Sequence, residues 1–177
     1  PQSAGAMPAP ACYGHGGKDF CLTDAMLLMG LLDPGIELPG GIRLDPELSR
    51  NAAEPLRAQF GLTATELADR VFRIATSNMA QALRRVSVKR GYDPRDYALF
   101  PCGGAGPLIA TALADEVDIK EVIVPPNPGV FSAVGLSVSG VRMDYVLAEG
   151  ALLVSDLTPS SLAWKLESLR ERASAAF

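Results

Sequence analysis

Little in this chain of 177 residues can hold a metal or a disulfide framework. It has one histidine, His15, and three cysteines, Cys12, Cys21 and Cys102. No CxxC pair and no HxxxH pair occurs, which excludes the common built-in zinc spacings. So sparse and odd a cysteine set suits a reducing cytoplasm, the expected location. Aromatic residues are 6% of the chain and no basic block is interleaved with them. With 16 basic and 20 acidic residues the formal charge is −4, so no nucleic-acid partner is expected. No apolar run approaches the ~18 residues a membrane span requires, and no secretory signal is visible. There is no membrane partner to expect. The chain opens at Pro1 without an initiator methionine and stops at Phe177 inside a helical pattern. Those ends read as a fragment of a longer protein.

What is present is a core and one distinctive turn. Apolar residues are 48% of the chain, enough to bury a proper interior. Tyr97-Ala98-Leu99-Phe100 reads as a short buried strand. Gly103, Gly104, Ala105 and Gly106 then make a tight turn, and Pro107 opens a small-residue helix to Glu116. A strand, a glycine turn and a bare helix N-terminus make a place for an anionic or nucleotide ligand, because free N–H groups and the helix dipole both favour negative charge. The competing reading is a turn kept glycine-rich for packing alone. A dinucleotide site is disfavoured, because the turn lacks the GxGxxG spacing.

The remaining elements follow from pattern. Residues 1–19 carry Gly, Pro and Ala without periodicity, which is loop chemistry. Within them Gly14, Gly16 and Gly17 surround His15, which either touches a ligand or is a solvated loop residue. Thr23 or Asp24 caps a short helix over Ala25 to Leu32; Asp24 is either a cap or a catalytic or metal-linked group. Residues 33–47 read as turns, and Pro46 begins a helix to about Phe60. Thr63 and Glu66 fit a capping box for a long amphipathic helix ending near Gly91, about 40 Å long. Its stripe is Leu67, Val71, Ile74, Ala75, Met79, Ala82, Leu83 and Val86, with Asn78 on or near it and at least one of Arg84 and Arg85 facing outward. Val122-Ile123-Val124 and Val141 to Ala148 read as strands. Ser132 to Gly135 would let a helix approach a neighbour closely, and Thr158 caps a last helix from Pro159. The alternation from residue 63 predicts an α/β layer with parallel pairing. Three segments are expected: a loop-rich and helical part over 1–62, an α/β part with the glycine turn over 63–150, and a linker and helix over 151–177.

Five stretches in order carry a family resemblance: PAPACYGHGG, LTDAMLLMGLLDP, RRVSVKRGYDPRDYAL, GGAGPL and VIVPPNPGVFSAVGL. Over roughly residues 3–148 the chain resembles the hydantoinase A/oxoprolinase family. The resemblance implies a lobe of an ATPase fold of the actin/Hsp70/sugar-kinase type, within a cytoplasmic enzyme that uses ATP and Mg2+. It implies a cyclic amide substrate, of hydantoin or 5-oxoproline type, opened after phosphorylation of the amide oxygen, with a second subunit or domain as partner. The alternatives are the nucleotide-handling subunit of an ATP-dependent ketone carboxylase, or a non-catalytic interaction module.

Carried over by position, Gly103, Gly104, Ala105, Gly106 and Pro107 match the family's adenosine turn. Ser132 to Gly135 resembles its hinge helix, and Gly14, Gly16 and Gly17 its glycine loop. The family often has histidine where Ile109 stands and arginine where His15 stands. No Asp-x-Gly-Gly-Thr phosphate loop occurs in the chain. No catalytic residue and no metal ligand is therefore assigned. By itself the fragment is expected to be inactive, and to self-associate through surface normally covered.

Overall fold

The computed structural model describes residues 4–140, 142–147 and 158–175. These residues form two compact units, Pro1–Ala133 and Val134–Phe177. The first holds the interior. It starts with a loop containing a short 3-10 turn, Ala11–Tyr13, followed by helix α1, Leu22–Leu28. Helices α2, Pro46–Phe60, and α3, Ala64–Val88, make a hairpin. Gly61, at φ +64, ends α2 in the left-handed region that a side chain would disfavour. Helix α4, Gly106–Val117, packs against α3, as does α1. Helix α5, Phe131–Val138, follows a 3-10 turn at Pro128–Val130. In the second unit helix α6 runs Pro159–Ser174.

The local signals for helix ends hold with one exception. Asp45 accepts the Glu47 N–H at 2.8 Å and starts α2. Thr63 and Glu66 form the expected reciprocal box at the start of α3. Thr158 accepts the Ser161 N–H and caps α6. The exception is α1. Its cap is Cys21, and Asp24 is the third helical residue, reaching back to the Cys21 N–H at 3.1 Å. The thiol and the carboxylate take the parts that Thr63 and Glu66 play in α3. Because Thr63 satisfies helix-end donors at the surface, Thr63→Ala is expected to cost about 1 kcal/mol; chemical denaturation measures it.

The buried face of α3 is rotated by about one residue from the predicted stripe. Leu67, Ala68, Phe72, Thr76 and Ala80 are buried, whereas Ile74 is 55% and Val86 65% exposed. Asn78 is exposed and not on the core face. Small residues decide the rotation. Ala80 and Ala114 meet in one cluster with Val117 and Ile119, and their small side chains let α3 and α4 approach closely. The hydroxyl of Thr76 donates to the Phe72 carbonyl at 3.0 Å, which satisfies it inside the core. Arg84 is not simply solvated. Its Nη2 donates to the Glu116 carbonyl at 2.6 Å, placing a positive charge at the negative C-terminal end of α4.

The expected α/β layer is largely absent from the described residues, which are mostly helical. Pairing is limited to two isolated bridges, Leu38–Ile42 antiparallel and Leu99–Val122 parallel. The second links the segments on either side of α4, which makes a strand–helix–strand unit of minimal size. Tyr97, Phe100, Ile123 and Val124 are each about half exposed, so the predicted buried strands lie at a surface. The residues of the predicted strand over Val141 to Ala148 that are described, 142–147, have no regular structure; Val141 and Ala148 lie outside the described residues. Ser132 to Gly135 are exposed, and α5 has no buried residue against which a close approach could be made. No helix among the described residues is long and apolar enough to cross a membrane.

Candidate functional site

The glycine turn is built from its two flanks. Leu99, half-buried, packs on the cluster of Ala80, Ala114, Val117 and Ile119. Pro101 is buried, and the Cα of Gly106 faces it, so that an added Cβ would sit 3.6 Å from the Pro101 Cβ. Between these two anchors Cys102, Gly103, Gly104 and Ala105 are exposed. Gly103 stands at φ +89 and donates its N–H to the Pro128 carbonyl at 2.8 Å, which ties the turn to the 128–130 segment. Nothing lies within 4 Å of where a Cβ on Gly104 would be. Pro107 sits in the first turn of α4, as expected.

Ala105 precedes α4 and offers no side-chain cap. The first-turn N–H groups of a helix have no partner inside it, and here no side chain supplies one. The turn is therefore an open, backbone-lined platform at the positive end of a 12-residue helix. Such a surface can accept a flat or anionic group through N–H donors. It has no wall of its own. Two open grooves lie elsewhere, one lined by Arg84, Tyr92, Asp93 and Arg95 near the C-terminus of α4, another by Phe72, Thr76 and Glu116. Ile109 points the other way, into a cluster with Met26 of α1 and Phe72 of α3. It is an interior position here and does not face the platform.

A second construction centres on Asp24, which is fully buried. Oδ1 accepts the Cys12 N–H at 2.9 Å and the Ser49 hydroxyl at 2.8 Å. Oδ2 accepts the Cys21 N–H at 3.1 Å and the Cys21 thiol at 3.0 Å. Burial pushes this carboxyl upward, but the hydrogen bonds together outweigh it and hold the group below its ordinary value. The carboxylate in turn acts on its neighbours. Burial, then the charge of Asp24, raises the Cys12 thiol to about 12, and burial with donation to Asp24 raises Cys21. These thiols are protonated at neutral pH and inert as nucleophiles. Asp24 thus joins the N-terminal loop, α1 and α2 with every acceptor occupied, which leaves it nothing to offer a metal or a substrate. Sequence pattern left it as either a cap or a catalytic or metal-linked group and did not reveal Ser49 or Cys12 as its partners. The Cys-x-x-Asp spacing, read as a capping box with a thiol in place of a hydroxyl, was the available signal.

The glycine loop stands on that base. Gly14 and Gly16 adopt φ +70 and +95. Gly17 is there for space: a Cβ on it would lie 2.1 Å from the Ala9 carbonyl oxygen. His15 is exposed, its ring edge-on to Tyr13 with centroids 6.4 Å apart. Among the described residues no hydrogen bond or ring contact joins this loop to the Gly103–Pro107 turn. No group of three or more His, Cys, Asp or Glu among them is placed to hold a metal ion.

The hydantoinase/oxoprolinase family description matches residues 1–145. The chain belongs to the hydantoinase/oxoprolinase family. It is 37% identical to the caprolactamase subunit alpha of Pseudomonas jessenii over 97% of its own length and 25% of that protein's. The crystal structure of the ATP-dependent caprolactamase from Pseudomonas jessenii superposes with a TM-score of 0.72 at 34% identity, covering 99% of this chain and 26% of that one. The nucleotide-free structure of acetone carboxylase gives 0.68 at 29% identity, covering 76% and 19%. The chain therefore spans between about a fifth and about a quarter of the length of these relatives.

Proposed function

We propose that this chain is part of an ATP-dependent hydrolase that opens a cyclic amide, and that it contributes the adenosine-side platform. The carrying observation is the turn itself: Gly103 and Gly104 exposed and Cβ-free before an α4 N-terminus that has no side-chain cap. Membership of a family with an ATP-dependent caprolactamase among its relatives supports the reading. In the full-length protein ATP would supply the phosphoryl group that activates the amide oxygen for attack by water. The residues of this chain would act by binding. Gly103, Gly104 and Ala105 present backbone to the base and ribose, and Gly106 and Pro107 set the direction of α4 beneath them. The phosphate loops, Mg2+ ligands and reacting groups would come from outside these residues, and a second subunit would complete the enzyme, as the subunit naming of the caprolactamase relative suggests. Likeness to acetone carboxylase supports a second reading, a nucleotide-handling subunit of a ketone carboxylase with the same platform.

Gly104 allows a direct test, because its φ and its open surroundings tolerate a side chain. Gly104→Leu in the full-length protein is expected to weaken ATP binding by about tenfold or more (on the order of 1.4 kcal/mol), with the thermal midpoint of the apo protein unchanged. Isothermal titration measures the first and differential scanning calorimetry the second. Equal ATP affinity in the variant would remove the platform from the nucleotide site. Release of ammonia-free ring-opened product from a lactam or hydantoin, against carboxylation of a ketone, separates the two activities.

A further inference from the structure

The glycine turn is gripped from outside by one short segment. The Gly103 N–H donates to the Pro128 carbonyl at 2.8 Å, and the Phe131 ring stands 5.3 Å from that of Phe100. The Pro128 carbonyl also accepts the Phe131 N–H, so its two lone pairs serve two donors. The 128–131 segment thus holds the chain just before the glycines, at Phe100, and at the first of them, Gly103. Gly104 and Ala105 stay exposed.

The direction of that carbonyl is set by one residue. Pro125, Pro126 and Pro128 have φ locked by their rings, which leaves Asn127 as the freely turning φ among them. Asn127 stands at φ +51 and ψ +54, in the left-handed region. The following proline disfavours the right-handed helical alternative, and an extended residue would carry the chain straight on. Asp118 is also left-handed, but there the conformation ends α4; Asn127 ends no helix and instead starts the Pro128–Val130 turn. Its side chain is exposed and supplies no cap to that turn. What Asn127 contributes is the path of the backbone.

We infer that Asn127 is a positioning residue for nucleotide: its left-handed conformation aims the Pro128 carbonyl at Gly103 and so presets the Gly103–Ala105 backbone for ATP. The inference rests on the reading of this turn as the adenosine platform and adds to it a residue outside the turn. One hydrogen bond at a surface favours the tied turn only several-fold. A β-branched side chain disfavours the left-handed region by a similar or larger factor. Valine at 127 therefore frees the turn in a large share of molecules, and ATP affinity falls with the competent fraction. Glycine at 127 accepts the same φ without strain and keeps the tie.

The test compares Asn127→Val and Asn127→Gly in the full-length protein, by isothermal titration with ATP and amide-resolved hydrogen exchange. Asn127→Val is expected to weaken ATP binding about threefold or more and to speed exchange of the Gly103 amide about fivefold or more. Asn127→Gly is expected to leave both within about twofold. Asn127→Ala, with a smaller left-handed penalty, falls between them and replaces the valine variant if that one does not fold. Unchanged Gly103 exchange in Asn127→Val would overturn the inference. Equal losses in the valine and glycine variants would assign the effect to the amide side chain and overturn it as well. A freed Gly103 with undiminished ATP affinity also overturns it, and Gly104→Leu then shows which claim failed. Weakened binding in Gly104→Leu keeps the platform and rejects the role of Asn127, whereas unchanged binding there rejects both.

Discussion

Replacing Asp24 with alanine is expected to lower the unfolding free energy by on the order of 4 kcal/mol, the largest effect of any single change predicted for this chain. The carboxylate is fully buried and accepts from Cys12 N, Cys21 N, Cys21 Sγ and the Ser49 hydroxyl. Alanine leaves all these donors without a partner in the interior, and each buried donor left unsatisfied costs about 1–3 kcal/mol. Asp24→Asn keeps one acceptor oxygen and introduces an NH2 that faces donors, so about half of the loss is expected. Ser49→Ala removes one donor and leaves a satisfied acceptor, and about 1 kcal/mol is expected. Urea denaturation of the three variants orders them. Equal stability of Asp24→Ala and the parent would remove Asp24 from its structural role.

The same carboxylate makes stability depend on pH. Its folded value lies below the ordinary 3.8. A group held lower in the folded state binds fewer protons there than in the unfolded chain. Its contribution is therefore fully present above the unfolded value and is lost as pH falls through the unfolded and then the folded value. Denaturation midpoints between about pH 5 and pH 2 should fall less steeply for Asp24→Asn than for the parent protein. Asp93, held near 2 by its hydrogen bonds with Arg95, is shared by both proteins, so it cancels in that comparison.

Gly17→Ala is the second large expected effect. Its Cβ would fall 2.1 Å from the Ala9 carbonyl oxygen and 3.1 Å from the Ala11 N, both backbone atoms that no rotamer change can clear. The loop must open, and with it the 9–12 segment whose Cys12 N–H donates to Asp24. A loss of about 3 kcal/mol follows, at the upper end of overpacking costs. Gly16→Ala supplies the control one residue away. Gly16 has φ +95 but nothing within 4 Å, so conformational strain alone operates, and about 1 kcal/mol is expected. The two variants thus separate a steric demand from a dihedral one. A Gly17→Ala protein as stable as the Gly16→Ala protein would show that the loop does not fold back on Ala9.

Local chemistry was legible in the sequence wherever neighbours in the chain settle it. The capping residues of α3 and α6, the prolines in the first turns of α2 and α4 and the glycine turn before α4 depend on groups within a few residues of one another. The five ordered stretches, too, identified the family without coordinates. Sequence spacing does not encode which side of a helix meets another helix. On α3 the larger apolar residues Ile74 and Val86 stay at the surface, while the small Ala80 is buried, because closeness to α4 counts for more there than side-chain hydrophobicity. Nor does it encode a contact across 25 positions, so Ser49 and Asp24 met only in the folded chain. Apolar runs marked Leu99 and Val122 as strands, yet a strand exists only with a neighbour. Among the described residues each finds one neighbour, the other. The sequence by itself therefore determined the caps, the turn and the family. The tertiary structure alone decided which faces are buried and which carboxylate holds the N-terminal half together, because burial and unsatisfied donors are properties of groups distant in sequence and adjacent in space.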